Sequence, residues 1–111
     1  MRLFLKTASK IMEIKKFLND AKLTVKISGR IDTNTSIQLK KEVMGDIEDI
    51  NNLIFDLDEV TYISSAALRV FLAMGNTMQQ QGKMSIINAN SDLMDVFKVT
   101  GFTEIMDIHE K

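Results

Sequence analysis

Apolar positions along the chain change period several times, and each change marks an element. Ile14 and Phe17, with lysines between them, predict a short first strand, and Asn19-Asp20 predicts a turn. Leu23, Val25 and Ile27 alternate strictly and predict a second strand, so the pair reads as an antiparallel hairpin. Gly29 ends it, and residues 30–35 (RIDTNT) supply loop and cap residues before a helix carrying Ile37, Val43, Met44, Ile47 and Ile50. Leu53, Ile54 and Phe55 are continuous and apolar between Asn52 and Asp56, as in a strand covered on both faces. Leu68, Phe71, Leu72, Gly75 and Met78 recur at offsets of 3, 4, 7 and 10, the spacing of one helix face. That helix starts at Ser64 or Ser65 and ends at Gly82, which suits a left-handed residue after a helix. Met84, Ile86 and Ile87 predict the next strand, Ser91 caps a short helix through Leu93, Val96 and Phe97 that Gly101 stops, and residues 105–108 predict a last strand.

The predicted order is β-β-α-β-α-β-α-β. Strands joined through helices pair in parallel with right-handed crossovers, so the expected fold is a single α/β domain: a mixed β-sheet with an N-terminal antiparallel hairpin, then parallel β-α-β units, packed with helices. Functional groups in such sheets gather beyond the carboxyl ends of the strands, which makes the segments 29–35 and 57–65 expected neighbours. Residues 1–11 precede the orderly strand pattern and are expected to be an N-terminal extension open to disorder, with the domain proper at 12–111.

Composition narrows the function without naming it. The 111 residues are 45% hydrophobic and 26% charged, which suits one packed core. Fourteen Lys and Arg against fifteen Asp and Glu leave a formal charge of -1, with no basic excess for nucleic acid. The absence of cysteine excludes disulfides, thiolate metal sites and cysteine nucleophiles. No apolar run is long enough to cross a bilayer and residues 1–10 form no signal peptide, so a cytoplasmic protein without membrane insertion is expected. The eight methionines are expected mostly in the core.

Candidate chemistry concentrates at the start of the middle helix. Ser64 or Ser65 can cap it, since a hydroxyl there accepts a hydrogen bond from an amide the helix leaves unpaired. The same free amides and the positive end of the helix dipole also make that serine a favourable place for a phosphate. Asp32 can likewise cap the helix that follows it, as Thr33 or Asn34 also could.

Three stretches in the right order resemble the STAS domain: GRIDTNT after a strand, LIFDLDEVTYISSAALRV in the middle, and FKVTGFTEIMDI at the end. The match looks nearest to single-domain bacterial anti-sigma factor antagonists. The resemblance implies partner switching. The unphosphorylated antagonist binds an anti-sigma factor that is also a serine kinase, phosphorylation at the helix start breaks the complex, and a serine phosphatase restores it. The family pattern Asp-Ser-Ser/Thr-Gly-Leu falls on Ser64 to Leu68, which puts Ser65 at the acceptor position, Ser64 in place of the aspartate and Ala67 in place of the glycine. Asp32 takes the place of the acid in the family's Gly-x-x-Asp loop. The implied partner surface is Asp32, Thr33, Ser64, Ser65, Ala66, Ala67 and Arg69, on a chain that is a monomer or weak dimer, is not an enzyme and needs no cofactor or metal. STAS domains also serve as subunits of lipid or anion transport complexes, the alternative reading.

Other chemistries lack their parts. Asp56, Asp58 and Glu59 after a strand suggest a receiver domain phosphorylated on aspartate, but that class needs an acidic pair where Ser28-Gly29 stands and a lysine near residues 107–109. The acids therefore read as a solvated turn. The single His109 reads as a solvated tail residue, and Ser65 has no Gly-x-Ser-x-Gly frame. No Walker-type or Gly-x-Gly-x-x-Gly loop occurs.

Overall fold

The computed structural model describes the backbone of residues 2–8 and 11–111, and the side chains of Leu3 and of residues 11–111. Its elements are β1 (Arg2–Ala8), β2 (Met12–Asn19), β3 (Lys22–Ile31), α1 (Thr33–Met44), β4 (Asn52–Ile63), α2 (Ser65–Gln79), β5 (Lys83–Ala89), α3 (Ser91–Val99), α4 (Phe102–Ile105) and β6 (Asp107–Glu110). One sheet holds all six strands in sequence order. The first three pair antiparallel, and β3 to β6 run parallel. Within the segment expected as an extension, residues 2–8 add the edge strand β1, while residues 1, 9 and 10 lie outside the described residues.

Sequence order decides the layering. Each parallel strand lies beside the one before it, so right-handed crossovers bring every connecting helix to the same face of the sheet. Leu23, Val25 and Ile27 of β3, with Leu53, Phe55 and Leu57 of β4, are fully buried under those helices. Phe71 of α2 meets Phe55 edge to face at 5.1 Å between centroids. The opposite face is open, so Ile54 is only half-buried and the expectation that 53–55 is covered on both faces is corrected. Three apolar residues are too few to tell an alternating strand from one buried on both sides.

Strand period also revises β2. Side chains alternate between faces, so Ile14 and Phe17 point to opposite sides, and Met12, Ile14 and Lys16 face the core. Lys16 is 1% exposed. Its ammonium donates to the Glu42 carbonyl at 2.6 Å and pairs with the carboxylates of Glu42, at 3.2 Å, and Asp46, which ties β2 to the end of α1. The hairpin turn falls at Asp20-Ala21, with Asp20 at φ 53.

The helices differ in face and boundary from their sequence patterns. In α1 the inward residues are Thr35, Ser36, Leu39 and Val43, whereas Ile37 is 60% exposed; Ile47 and Ile50 are buried but follow the helix. Ser36 can face the core because its hydroxyl donates to the Thr33 carbonyl at 2.8 Å. In α2, Ala67, Val70 and Met74 join Leu68, Phe71 and Met78 in the core, while Leu72 stays partly exposed. Gly82 is not left-handed: a Cβ there would meet the Asn51 carbonyl oxygen at 2.0 Å, so close backbone approach requires glycine. Asn90, not Ser91, caps α3, accepting from the Leu93 amide at 2.9 Å. Gly101 stops that helix at φ 80 as expected, and Ile105 belongs to α4, so the last strand begins at Asp107.

Candidate functional site

The parallel pair β3 and β4 outruns its neighbour. Pairing of β4 with β5 ends at Asp56↔Ile87, whereas pairing with β3 continues to Ile31↔Ile63. Two register shifts on the way put extra residues into β4 and bend it, a common device beside functional surfaces. Segment 57–63, expected as loop, is therefore strand. The acids read as a solvated turn lie on it with partners: Asp56 accepts from the Asp58 amide and from Asn88 Nδ2, both at 3.0 Å, Asp58 pairs with Lys111 at 2.9 Å, and Glu59 with Lys26 at 3.6 Å. His109 is exposed and stands 2.8 Å from Asp107.

Because β3 and β4 end side by side, two helices start side by side. The Ser64 amide donates to the Ile31 carbonyl at 2.9 Å, which brings segments 29–35 and 57–65 together as expected from topology. Each helix is capped by the residue that follows its strand. Asp32 accepts from the Thr35 amide at 2.8 Å while its own amide donates to the Thr35 hydroxyl at 2.8 Å, a reciprocal box. The Thr35 amide is the largest influence on the Asp32 carboxyl; desolvation pushes the other way, and with the Thr35 hydroxyl, the Asn34 amide and Arg30 adding to the amide the carboxyl is held below its ordinary value. Ser64 is the cap of α2, its Oγ accepting from the Ala67 amide at 3.1 Å.

Ser65 is left in a different situation. It is the first residue of α2, exposed, and among the described residues its hydroxyl has no hydrogen-bond partner. The amides of Ser65 and Ala66 have no acceptor within the helix, as at any helix start. Thr33 and Arg69 are exposed, and Asp32, Ser64 and Ala66 are half-buried. Ala67 departs from the expected partner surface: it is fully buried, so its methyl packs in the core. The Arg30–Tyr62 stack, with the guanidinium 4.2 Å from the ring centroid, was missed in the sequence. It depends on the register Arg30↔Tyr62, which no local pattern announces.

Fold and site together define a one-sided α/β domain that offers a serine hydroxyl where two helix starts meet. The chain belongs to the STAS domain family, whose model matches residues 12–111. It is 29% identical over 94 residues to the anti-sigma-B factor antagonist of Bacillus subtilis strain 168, an alignment covering 84% of this chain and 86% of that protein. An anti-sigma factor antagonist from Mycobacterium paratuberculosis has the same fold, with a TM-score of 0.83, 19% identity, and coverage of 95% of this chain and 91% of that one. The Bacillus cell fate determinant SpoIIAA in its phosphorylated form superposes with a TM-score of 0.69 and 13% identity, covering 86% of this chain and 89% of that one. Among the described residues, no helix is long and apolar enough to cross a membrane.

Proposed function

We propose that this chain is an anti-sigma factor antagonist that binds an anti-sigma factor with serine kinase activity, and that phosphorylation of Ser65 ends the complex. The observation that carries the reading is the unpartnered, exposed Ser65 hydroxyl at the first turn of α2, beside the Asp32 turn. The names of its relatives support the same role.

Transfer from ATP forms a P–O bond at Ser65 Oγ, breaks the bond between the γ-phosphorus and the oxygen kept by ADP, and releases the hydroxyl proton to a base of the kinase. The product carries about -1.5 to -2 charges at neutral pH. Held against a docked protein, that charge loses hydration and repels nearby carboxylates, so the complex dissociates while the domain stays folded. A serine phosphatase reverses the step, and the chain itself catalyses nothing. Ser64 supplies the cap that the family's aspartate would supply, so its place in the pattern does not unsettle the helix start. The proposed partner surface is Asp32, Thr33, Ser64, Ser65, Ala66 and Arg69, and the proposed compartment is the cytoplasm.

Incubation with the cognate kinase and ATP, followed by peptide mapping, tests the assignment. Phosphate is expected on Ser65, and phosphate found on Ser64 or Thr61 with Ser65 unmodified refutes it.

A further inference from the structure

Arg69 stands one turn beyond Ser65 on the same face of α2, and both side chains are exposed. Positions i and i+4 of a helix carry Cβ atoms about 5–6 Å apart, and the anion N-terminal to the cation is the better order because each charge then suits the dipole. The groups that would ordinarily occupy such a cation are absent. The helix neighbours at three and four residues from Arg69 are Ser65, Ala66, Leu72 and Ala73, and the first turn of α2 holds no acidic residue. Among the described residues Arg69 makes no ion pair, hydrogen bond or ring contact.

Two cations of β3 are already engaged. Arg30 lies over Tyr62 and within the field of Asp32, and Lys26 pairs with Glu59. Among the described residues Arg69 is thus an arginine in no ion pair, set at a helical spacing that suits an anion on Ser65.

We propose that Arg69 is the intramolecular partner of a phosphate on Ser65, its guanidinium donating to the phosphate oxygens across one turn of α2. The inference rests on reading Ser65 as the phosphoacceptor and names the residue that receives the modification. Phosphorylation then alters two groups at once, because it adds the anion and withdraws a free cation from the docking surface. Arg69 acts as a positioning residue. It holds the phosphate along the helix face, near the unpaired amides of Ser65 and Ala66.

The test needs no kinase: phosphoserine is installed at position 65 of the full chain by codon suppression, and the second ionisation of the phosphate is followed by phosphorus NMR against pH. A paired phosphate holds its second proton less tightly than the ordinary value of about 6. The midpoint in the wild type is expected about 0.2–0.4 pH unit below that in Arg69→Gln. Arg69→Lys should fall between them, since it keeps the charge and loses the fork. Arg30→Ala should leave the midpoint where the wild type has it. Equal midpoints in the wild type and Arg69→Gln, or a shift that follows Arg30 instead, overturn the proposal. Because the phosphate is installed, a protein never phosphorylated on Ser65 in its host refutes the switch reading by mass spectrometry and leaves this titration a separate result.

Discussion

Two adjacent serines with the same side chain have different work because they differ by one position along a helix. Ser64 is the cap and has its oxygen occupied by the Ala67 amide, whereas Ser65 is inside the first turn with its oxygen free. Ser64→Ala should therefore lower stability by about 1 kcal/mol in urea unfolding, and Ser64→Asp should restore most of it, being an equally good cap. Asp32 is the corresponding cap of α1, and its carboxyl is held below the ordinary value chiefly by the Thr35 amide. A depressed carboxyl stabilises the fold above its unfolded-state pKa, and that contribution disappears as pH falls through the folded-state value. Asp32→Asn keeps the cap and removes the titration. The stability of the wild type relative to this variant should be flat from neutral pH down to the ordinary carboxylate range and decline below it, as melting temperatures across pH would show. At neutral pH, Asp32→Ala should melt several degrees lower and bind the anti-sigma partner more weakly; unchanged affinity would leave Asp32 a cap alone.

At the scale of elements, backbone approach decides more than side-chain pattern. Gly82 ends the turn after α2 where the chain passes Asn51, whose carbonyl accepts from the Lys83 amide at 3.0 Å. A methyl at 82 would collide with that backbone oxygen, so Gly82→Ala should destabilise by roughly 1–3 kcal/mol. Gly45→Ala is the control, since a Cβ there would come no nearer than 3.8 Å to the Lys41 carbonyl oxygen and its φ is -71°. That variant should unfold within about 0.5 kcal/mol of the wild type, and equal losses at both sites would show that the Asn51 contact is not the cause. A separate long-range contact lets Lys16 of β2 lie in the core, where Glu42 of α1 supplies a carbonyl and a carboxylate and Asp46, just after the helix, a second carboxylate.

For the whole molecule, the switch is expected to be local. Ser65 sits exposed at the shared end of β3 and β4, while Ile31, Ile63, Ala67 and Leu68 beside it are buried in the core. A phosphate at a helix start meets unpaired amides, so it should leave the fold intact. Phosphorylated and unphosphorylated protein should give the same circular dichroism spectrum and differ by at least tenfold in affinity for the anti-sigma partner, about 1.4 kcal/mol. Ser65→Ala should bind like the wild type, and Ser65→Asp should weaken binding part of the way, having less charge and fewer acceptor oxygens. Tight binding by the phosphoprotein, or loss of its native spectrum, contradicts a local switch.

What the sequence determined by itself was whatever depends on near neighbours. Alternation at Leu23, Val25 and Ile27, the helical spacing from Leu68 to Met78, and the left-handed Gly101 all act through residues a few positions apart. So does the start of α2 at Ser64 or Ser65, which the helical spacing and the capping hydroxyls mark. Chain order with right-handed crossovers was enough to place the two helix starts together. Tertiary structure alone decided which apolar residues the core needs and which glycine is constrained. Ile37 points outward while Ser36 and Lys16 point inward, because the space between α1 and the sheet takes small or internally paired groups there. Gly82 answers to Asn51 and Arg30 to Tyr62, and among the described residues Arg69 has no ion-pair partner. Each of these depends on a partner distant in sequence or missing in space, and a local pattern carries no record of either.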